Sequence, residues 1–230
     1  MKFSPGIGVG AMSGSQGGTT ASRGRAGQYF RTRSMPTQPN TPAQTAIRTN
    51  VATASGRWGG VLTDAQRAGW ETFSQNFPIT DKLGQPLQLT GQQAYVKLNT
   101  RLLNAGQAAI DAAPVDQSVT DVLTITPVAT FTGSILTVAF TPTPLAADDL
   151  LVIRITPAFS VGKSYFTNML RDVTITALAE AGPVDCSPDW VAKYGTFPAA
   201  GTKLGFEVTC LRTTNGAYDA SLRATAIVGA

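Results

Sequence analysis

Histidine is absent from the 230-residue chain, and several familiar kinds of active site are excluded with it. Ser/His/Asp and Cys/His arrangements need an imidazole as general base, and imidazole is also the commonest metal ligand among side chains. The two cysteines, Cys186 and Cys210, are too few for a Cys-rich zinc site. They either face each other across strands or are two buried thiols. We therefore expect no catalytic residues, no cofactor and no metal.

Charge is also scarce, because Asp, Glu, Lys and Arg make up 14% of the chain against a usual share of about 25%. No run of about 20 apolar residues occurs, so we expect no membrane-spanning helix and no membrane partner. The chain has 31 threonines, 23 glycines and 14 prolines, which favour strands and turns over long surface helices. This composition predicts a mainly β protein with a small α region.

Acidic residues are missing from the first 63 positions, and the first of them is Asp64. Residues 1–63 carry seven Lys and Arg, a net charge of +7, whereas residues 64–230 carry eleven basic and fourteen acidic residues, a net charge of −3. Residues 1–40 are also rich in glycine and have too few apolar side chains for a core of their own. We interpret residues 1–40 as an extended, basic, Gly-rich arm that lies along a neighbouring subunit; a solvated tail is the alternative.

The candidate partner-binding residues lie within this arm and combine arginines with aromatic rings: Arg23, Arg25, Tyr29, Phe30, Arg31 and Arg33. Such a cluster can pair with acidic groups of a partner protein, or it can neutralise phosphates and stack on bases. No specific recognition motif for nucleic acid stands nearby. We therefore favour a protein partner and keep nucleic acid as the alternative.

A carbohydrate-cleaving enzyme would need a pair of carboxylates in a cleft. The acidic pairs of the C-terminal region fall in predicted turns: Asp148 with Asp149, and Asp185 with Asp189. We interpret them as turn residues, because Asp favours turns and further oxygen ligands for a metal are not evident.

Three Thr-x-x-Gln boxes predict the starts of three helices, since the Thr hydroxyl and the Gln side chain can cap each other's backbone N–H. The boxes begin at Thr41, Thr63 and Thr90, and the helices are predicted to end at Gly59-Gly60, before Pro78 and at Gly106. Residues 41–106 therefore form a predicted helical domain. On the first helix, one apolar stripe is expected: Ala43, Ile47, Val51, Ala54 and Trp58. The three helices are expected to pack through one cluster: Trp58, Trp70, Phe73, Tyr95 and Leu98.

After a connector at residues 107–120, the pattern changes to short strands. Seven strands are predicted in residues 121–230: 122–126, 135–140, 150–156, 173–178, 190–194, 206–212 and 220–228. Short strands at regular spacing with Pro and Gly turns are typical of an antiparallel sandwich of immunoglobulin or fibronectin-III type. Barrel closure is the alternative.

Four spaced motifs occur in order between Ser13 and Asn104. They are Ser13-Gly14-Ser15-Gln16-Gly17-Gly18, Gly27-Gln28-Tyr29-Phe30-Arg31-Thr32-Arg33, Pro36-x-x-Pro39-Asn40-Thr41-x-x-Gln44-x-x-x-Arg48 and Trp58-x-x-x-Leu62-Thr63-x-x-Gln66-Arg67-x-x-Trp70. This order resembles a group of small proteins encoded in tailed-bacteriophage and prophage genomes, usually described as hypothetical or structural proteins. The resemblance covers about 90 of the 230 residues, leaves out the β region and carries no functional residues with it.

The resemblance implies a non-enzymatic component of a virion, synthesised in the cytoplasm of the bacterial host. We expect a capsid cement or decoration protein that stabilises the particle through its inter-subunit arm. The expected partners are other virion proteins, namely the major capsid protein or neck and tail proteins, and further copies of the chain within the assembly. A neck, tail or fibre-anchoring adaptor is the first alternative. A nucleic-acid-binding protein packaged with the genome is the second.

Overall fold

The structure is a computed structural model, and it describes residues 12–24, 27–35, 37–80 and 86–230. Arg25 and residues 81–85 of the turn predicted between the second and third helices lie outside these ranges. The chain divides into two compact units, Met1–Gln44 and Thr45–Ala230.

The N-terminal unit contains a three-stranded antiparallel sheet of β1 (Gly14–Gln16), β2 (Thr19–Gly24) and β3 (Gly27–Thr32), in that order. Gly17 and Gly18 form the two-residue turn between β1 and β2, and Gly17 has a positive φ of 58°. Glycine adopts this conformation without steric cost, as such hairpin turns require. The strands within residues 14–32 are extended, as predicted for residues 1–40, but they pair with one another in a regular sheet, whereas the composition predicts an arm that lies along a neighbouring subunit.

The three predicted helices are confirmed as α1 (Pro42–Gly60), α2 (Asp64–Asn76) and α3 (Gly91–Asn104). In each Thr-x-x-Gln box, the Thr hydroxyl accepts from the Gln backbone N–H and the Gln side chain accepts from the Thr backbone N–H. At the start of α2, for example, the Gln66 N–H donates to Thr63 Oγ1 at 3.3 Å and the Thr63 N–H donates to Gln66 Oε1 at 2.8 Å. Between α2 and α3, the short strands β4 (Ile79–Thr80) and β5 (Pro86–Leu87) pair antiparallel, in agreement with the predicted extended pieces.

The predicted aromatic cluster is confirmed. Trp70 and Tyr95 are fully buried, and their rings meet edge to face with centroids 5.2 Å apart. Phe73 and Leu98 belong to the same buried cluster, and the half-buried Trp58 packs against it.

Three side chains donate hydrogen bonds to Asp111, which lies in the connector. Arg57 Nη2 donates to both carboxylate oxygens at 2.8 Å, the Tyr95 hydroxyl donates at 3.3 Å, and Trp70 Nε1 donates to the backbone carbonyl at 2.9 Å.

The apolar stripe predicted along α1 is wrong for most of its length. Ala54 is fully buried and Trp58 is half-buried, but Ile47 is 51% exposed and Val51 is 39% exposed. Helical periodicity predicts which residues share a face, but it does not show how far a neighbouring element extends along that face. In the described residues, only the C-terminal half of α1 packs against the aromatic cluster.

The C-terminal region contains seven strands among the described residues: β6 (Thr124–Thr130), β7 (Ile135–Thr141), β8 (Asp149–Ile155), β9 (Arg171–Ile175), β10 (Val184–Asp185), β11 (Lys203–Arg212) and β12 (Leu222–Ile227). They form two antiparallel sheets of order β10-β7-β6 and β12-β11-β8-β9. Six of the seven predicted strands are confirmed, although β6 and β9 are shifted by two to four residues from the predicted bounds. The strand predicted at residues 190–194 is wrong, because these residues belong to α4 (Ser187–Tyr194). β10 was not predicted.

The two sheets share one apolar core, to which both contribute inward-facing residues such as Leu136, Val138, Ile153 and Phe206. On one side, the residues that follow β6 and β12 bond to each other. The Phe131 N–H donates to the carbonyl of Gly229 at 3.0 Å. On the other side, α4 bonds to both sheets. The Leu136 N–H of β7 donates to Ser187 Oγ at 2.8 Å, and the Lys193 ammonium donates to the carbonyl of Asp172 in β9.

The helices also pack on the larger sheet. Leu102 and Ala105, at the end of α3, form a buried cluster with Leu150 and Val152 of β8 and Leu211 of β11. Arg101 places its guanidinium 4.4 Å from the ring centroid of Tyr218, a cation–π contact that extends this packing. Residues 107–120 contain no helix or strand.

Replacing Trp70 by Ala should lower the free energy of unfolding by about 3–5 kcal/mol, because it empties a fully buried site. Urea unfolding followed by circular dichroism measures the loss. Trp70→Phe is the control, since it keeps an aromatic ring but not the indole donor to Asp111, and it should cost less than half as much. A loss below about 1 kcal/mol for Trp70→Ala would contradict the buried position.

Candidate functional site

The N-terminal sheet has two faces, and strand alternation distributes the predicted partner-binding residues between them. In the register of β2 and β3, Ala21 pairs with Phe30 and Arg23 with Gln28, so these four residues lie on one face. Ser22 pairs with Tyr29 and Thr20 with Arg31, so these lie on the other. We call the two surfaces the Phe30 face and the Tyr29 face.

The Phe30 face carries an open concavity of about 550 Å³, lined by Met12 to Gln16, Thr19, Ala21 and Phe30. The backbone N–H of Met12 donates to Gln28 Oε1 at 3.3 Å, which ties the segment before β1 to β3. Ala21 and Gln28 are buried, whereas Phe30 is half-buried. This face therefore offers a mixed surface of methyl groups, hydroxyls and one aromatic ring, with the exposed Arg23 on the same face.

The Tyr29 face is polar. Ser15 Oγ and Thr20 Oγ1 lie 2.7 Å apart, and Thr20 is the register partner of the exposed Arg31. Tyr29 is half-buried. Arg33 follows β3 directly, and its N–H donates to the carbonyl of Gly18 at 2.9 Å, which continues the pairing by one step. Strand alternation therefore places Arg33 on the same side as Arg31.

The structure thus separates the predicted cluster. Arg23 and Phe30 share one face, Tyr29 and Arg31 share the other, and Arg25 lies outside the described residues. The Gly17-Gly18 pair is a hairpin signal in the sequence, and a hairpin predicted there would also have predicted this alternation. Ion pairs between described residues involve none of Arg23, Arg31 and Arg33.

The acidic residues of the C-terminal region are largely committed to structural contacts. The interpretation of Asp149 as a turn residue is wrong. Its side chain is fully buried in β8 and receives two hydrogen bonds from Arg212, at 2.8 and 3.0 Å, and one from the Thr120 N–H at 3.2 Å. Burial alone raises the pKa of Asp149, but the bonds from Arg212 and Thr120 outweigh burial and leave the pKa below its ordinary value.

The interpretation as turn residues is confirmed for Asp185, whose carboxylate bonds to the backbone two residues further on in an Asx-turn, and is wrong for Asp189, which lies in α4. Asp185, in β10, accepts from the Ser187 N–H at 2.9 Å and from its hydroxyl, and Asp189 stands in the first helical turn. An acid in this position favours the helix through the partial positive charge of its N-terminus.

Another group of charges forms a row across the outer face of the larger sheet. Glu207 of β11 is almost fully buried between Arg223 of β12 and Arg154 of β8, with N–O distances of 2.6 and 2.9 Å, and Arg154 also pairs with Asp172 of β9 at 2.6 Å. The four residues are direct neighbours in the sheet register. Among the residues that the structure describes, no group of three or more acidic or cysteine side chains could hold a metal ion.

Cys186 and Cys210 are free and buried in the apolar core of the sheets. Burial raises the pKa of the Cys186 thiol to about 11 and that of the Cys210 thiol to about 12. Both thiols are therefore protonated at neutral pH, whereas a nucleophilic cysteine needs a thiolate. The alternative of two buried thiols is the one that the structure shows.

Comparison with protein-family models, with curated proteins and with solved structures finds no match to this chain. Within the described ranges, no helix is both long enough and apolar enough to cross a membrane. The functional proposal therefore depends on the charges and surfaces of the chain itself and on the sequence resemblance.

Replacing Asp149 by Asn should lower the free energy of unfolding by about 3 kcal/mol at pH 7, because Arg212 loses its buried partner. The pKa of Asp149 is lowered in the folded state, so its contribution is complete above the unfolded value of about 3.9 and is lost as the pH falls through the folded value. The difference between the wild type and the variant should accordingly shrink below about pH 4.

Urea unfolding at several pH values measures this difference. Asp148→Asn is the matched control, since Asp148 is exposed and only its backbone carbonyl accepts hydrogen bonds from Thr213. It should change stability by less than about 0.5 kcal/mol. Equal losses in the two variants would contradict the role assigned to the Asp149 carboxylate.

Proposed function

We propose that the chain is a non-enzymatic structural protein of a tailed-phage virion, and in particular a capsid cement or decoration protein. The observation that carries this proposal is the exposed basic surface of the N-terminal unit. Arg23, Arg31 and Arg33 are exposed, and no acidic residue occurs in the first 63 positions. A surface of this kind is suited to an acidic partner outside the unit.

The small size of the N-terminal sheet supports an external partner. In residues 12–24 and 27–35, only Ala21 and Gln28 are buried, so the sheet gains little apolar burial of its own. Small sheets need a hydrophobic face or packing against another element to be stable. Contact with a neighbouring virion protein would supply that packing through the concavity of the Phe30 face and charge pairing through the arginines.

The first half of α1 supports the same reading. Ile47 and Val51 are exposed on this helix, whose composition includes three threonines and three glycines within 19 residues. Thr and Gly are poor helix formers, and most helices in proteins are stabilised by burying an apolar face. A partner that covers Ile47 and Val51 would stabilise this part of the helix.

For the C-terminal region we propose a sandwich of immunoglobulin or fibronectin-III type that packs on the particle or projects from it. Support comes from two antiparallel sheets with one shared core. Sandwich modules of this kind serve many functions, so the architecture by itself does not specify an activity.

A neck, tail or fibre-anchoring adaptor is the closest alternative, and copy number separates the two. Quantitative mass spectrometry of particles purified after induction of the host that carries the gene should find on the order of hundreds of copies for a cement protein. An adaptor on a symmetric neck or tail should be present in about six or twelve copies. Absence of the chain from purified particles would contradict both.

Removing residues 2–37 should abolish attachment but leave the rest of the fold intact, because Thr45–Ala230 is a compact unit and the α1 cap begins at Thr41. Circular dichroism checks the fold, and occupancy on particles that lack the protein measures attachment. In the full chain, Arg31→Glu should lower occupancy at least about tenfold, whereas Lys163→Glu, the same charge change on the C-terminal unit, should not. Occupancy of the shortened chain at the wild-type level would refute the proposal.

Tyr29 and Arg31 lie on the same face of β3, which keeps nucleic acid as a second candidate partner, because arginine and aromatic groups together can contact phosphates and bases. Arg31 and Arg33 are the described arginines on that side, so duplex binding should show a slope of about −2 in log K against log salt. Filter binding of the full chain to duplex DNA between about 25 and 200 mM salt measures the slope. No retention at the lowest salt would exclude this candidate.

A further inference from the structure

The longest uncharged stretch of the chain, residues 122–147, includes both long strands of the smaller sheet. It contains no Asp, Glu, Lys or Arg in 26 consecutive positions. Charged residues make up 14% of the whole chain, so about four would be expected in 26 positions. A stretch of this length without charge is expected inside a core, but half of the side chains of β6 and β7 lie on the outer face of the sheet.

That outer face is open to solvent in the structure. In the register of β6 and β7, its residues are Thr124, Thr126, Val128 and Thr130 of β6 with Ile135, Thr137, Ala139 and Thr141 of β7. Six of the eight are exposed, and the other two, Thr130 and Thr137, are half-buried. Phe131, in the turn between the strands, is 51% exposed and Val128 is 48% exposed. The face is therefore uncharged and covered by methyl groups and hydroxyls.

The larger sheet provides an internal comparison, because its outer face carries the row Arg223, Glu207, Arg154 and Asp172. Both sheets contribute to the same core, and an outer face of this fold can therefore carry charge. Depletion of charge at the centre with polar groups at the rim is typical of protein–protein interfaces. Asp185 of β10 fits this pattern, since it lies beside Thr137 at the edge of the face, with its carboxylate bonded to Ser187.

We propose that the outer face of β6 and β7 pairs with the same face of a second copy, which forms a two-fold symmetric dimer with sheet packed on sheet. A partner that brought charged side chains to this face would leave them desolvated without a counter-charge, which is costly. The matching surface must therefore be uncharged, and a second copy presents one of the same shape and chemistry. Packing of two sheets at about 10 Å, face to face, is a common arrangement.

The dimensions of the face set the expected strength. Two strands of seven residues cover roughly 24 Å by 10 Å, which is well below the area of about 800 Å² per partner in stable complexes. We therefore expect a weak dimer, with a dissociation constant on the order of 100 μM. No residue of the N-terminal unit takes part, so the dimer does not depend on the proposed virion function.

Sedimentation equilibrium of the full chain up to about 1 mM tests the dimer. The wild type should pass from monomer to dimer, and Val128→Lys or Ala139→Lys should weaken the dimer at least about tenfold, because like charges would meet across the two-fold axis. Thr225→Lys is the matched control, since Thr225 is exposed on β12 of the other sheet, and it should leave the dimer unchanged. A wild type that stays monomeric, or a dimer that both lysine variants leave intact, overturns the proposal.

Cross-linking keeps the test decisive if a lysine variant fails to fold. Ala139→Cys places a thiol at the centre of the face, and a bismaleimide should join two copies with at least about fivefold higher yield than in Thr225→Cys. Cys186 and Cys210 do not interfere, because they are buried and protonated at neutral pH. Equal yields at the two positions overturn the proposal and leave the face available to a different uncharged protein.

Discussion

The helices α1, α2 and α3 depend on a single residue, Asp111, because each of them contributes a group that bonds to it. Arg57 of α1 and Tyr95 of α3 donate to the side chain, and Trp70 of α2 donates to the backbone carbonyl. Charge-assisted bonds of this kind are strong where water is partly excluded. Asn99 of α3 holds the neighbouring residue Ile110 as well. Its side-chain amide donates to the carbonyl of Ile110 and accepts from the Ile110 N–H.

The connector that contains Asp111 also ties the helices to the sheets. Beyond Asp111, the Thr120 N–H donates to Asp149, and the Val122 N–H donates to Asp219 at 3.0 Å. Burial raises the pKa of Asp219 above its ordinary value, although backbone N–H groups of Val122 and Cys210 donate to it. Residues 107–120 are thus held by polar contacts at both ends, and the packing of α3 on β8 and β11 closes the arrangement.

The parts of the fold that local sequence determines could be predicted, and the parts that depend on distant residues could not. Capping boxes specify the three helix starts from four residues each, so α1, α2 and α3 were predicted correctly. The strand predicted at residues 190–194 failed because a five-residue apolar pattern does not distinguish a strand from one helical turn. Asp149 and Arg212 lie 63 positions apart, and no local sequence pattern predicts that they form an ion pair. The candidate partner-binding residues were found in the sequence, but their division between two faces required the strand register.

The position of α4 affects how the chain behaves when many copies are present at high local concentration. Exposed strand edges invite pairing with strands of other molecules, which leads to edge-to-edge aggregation. Here β10 is only two residues long, β9 has an irregular register with β8 between Ile153 and Arg154, and α4 bonds across the gap between the two sheets. The short edge at β10 and the irregular edge at β9 oppose edge-to-edge pairing on this side of the two sheets, so association through other surfaces can proceed without it.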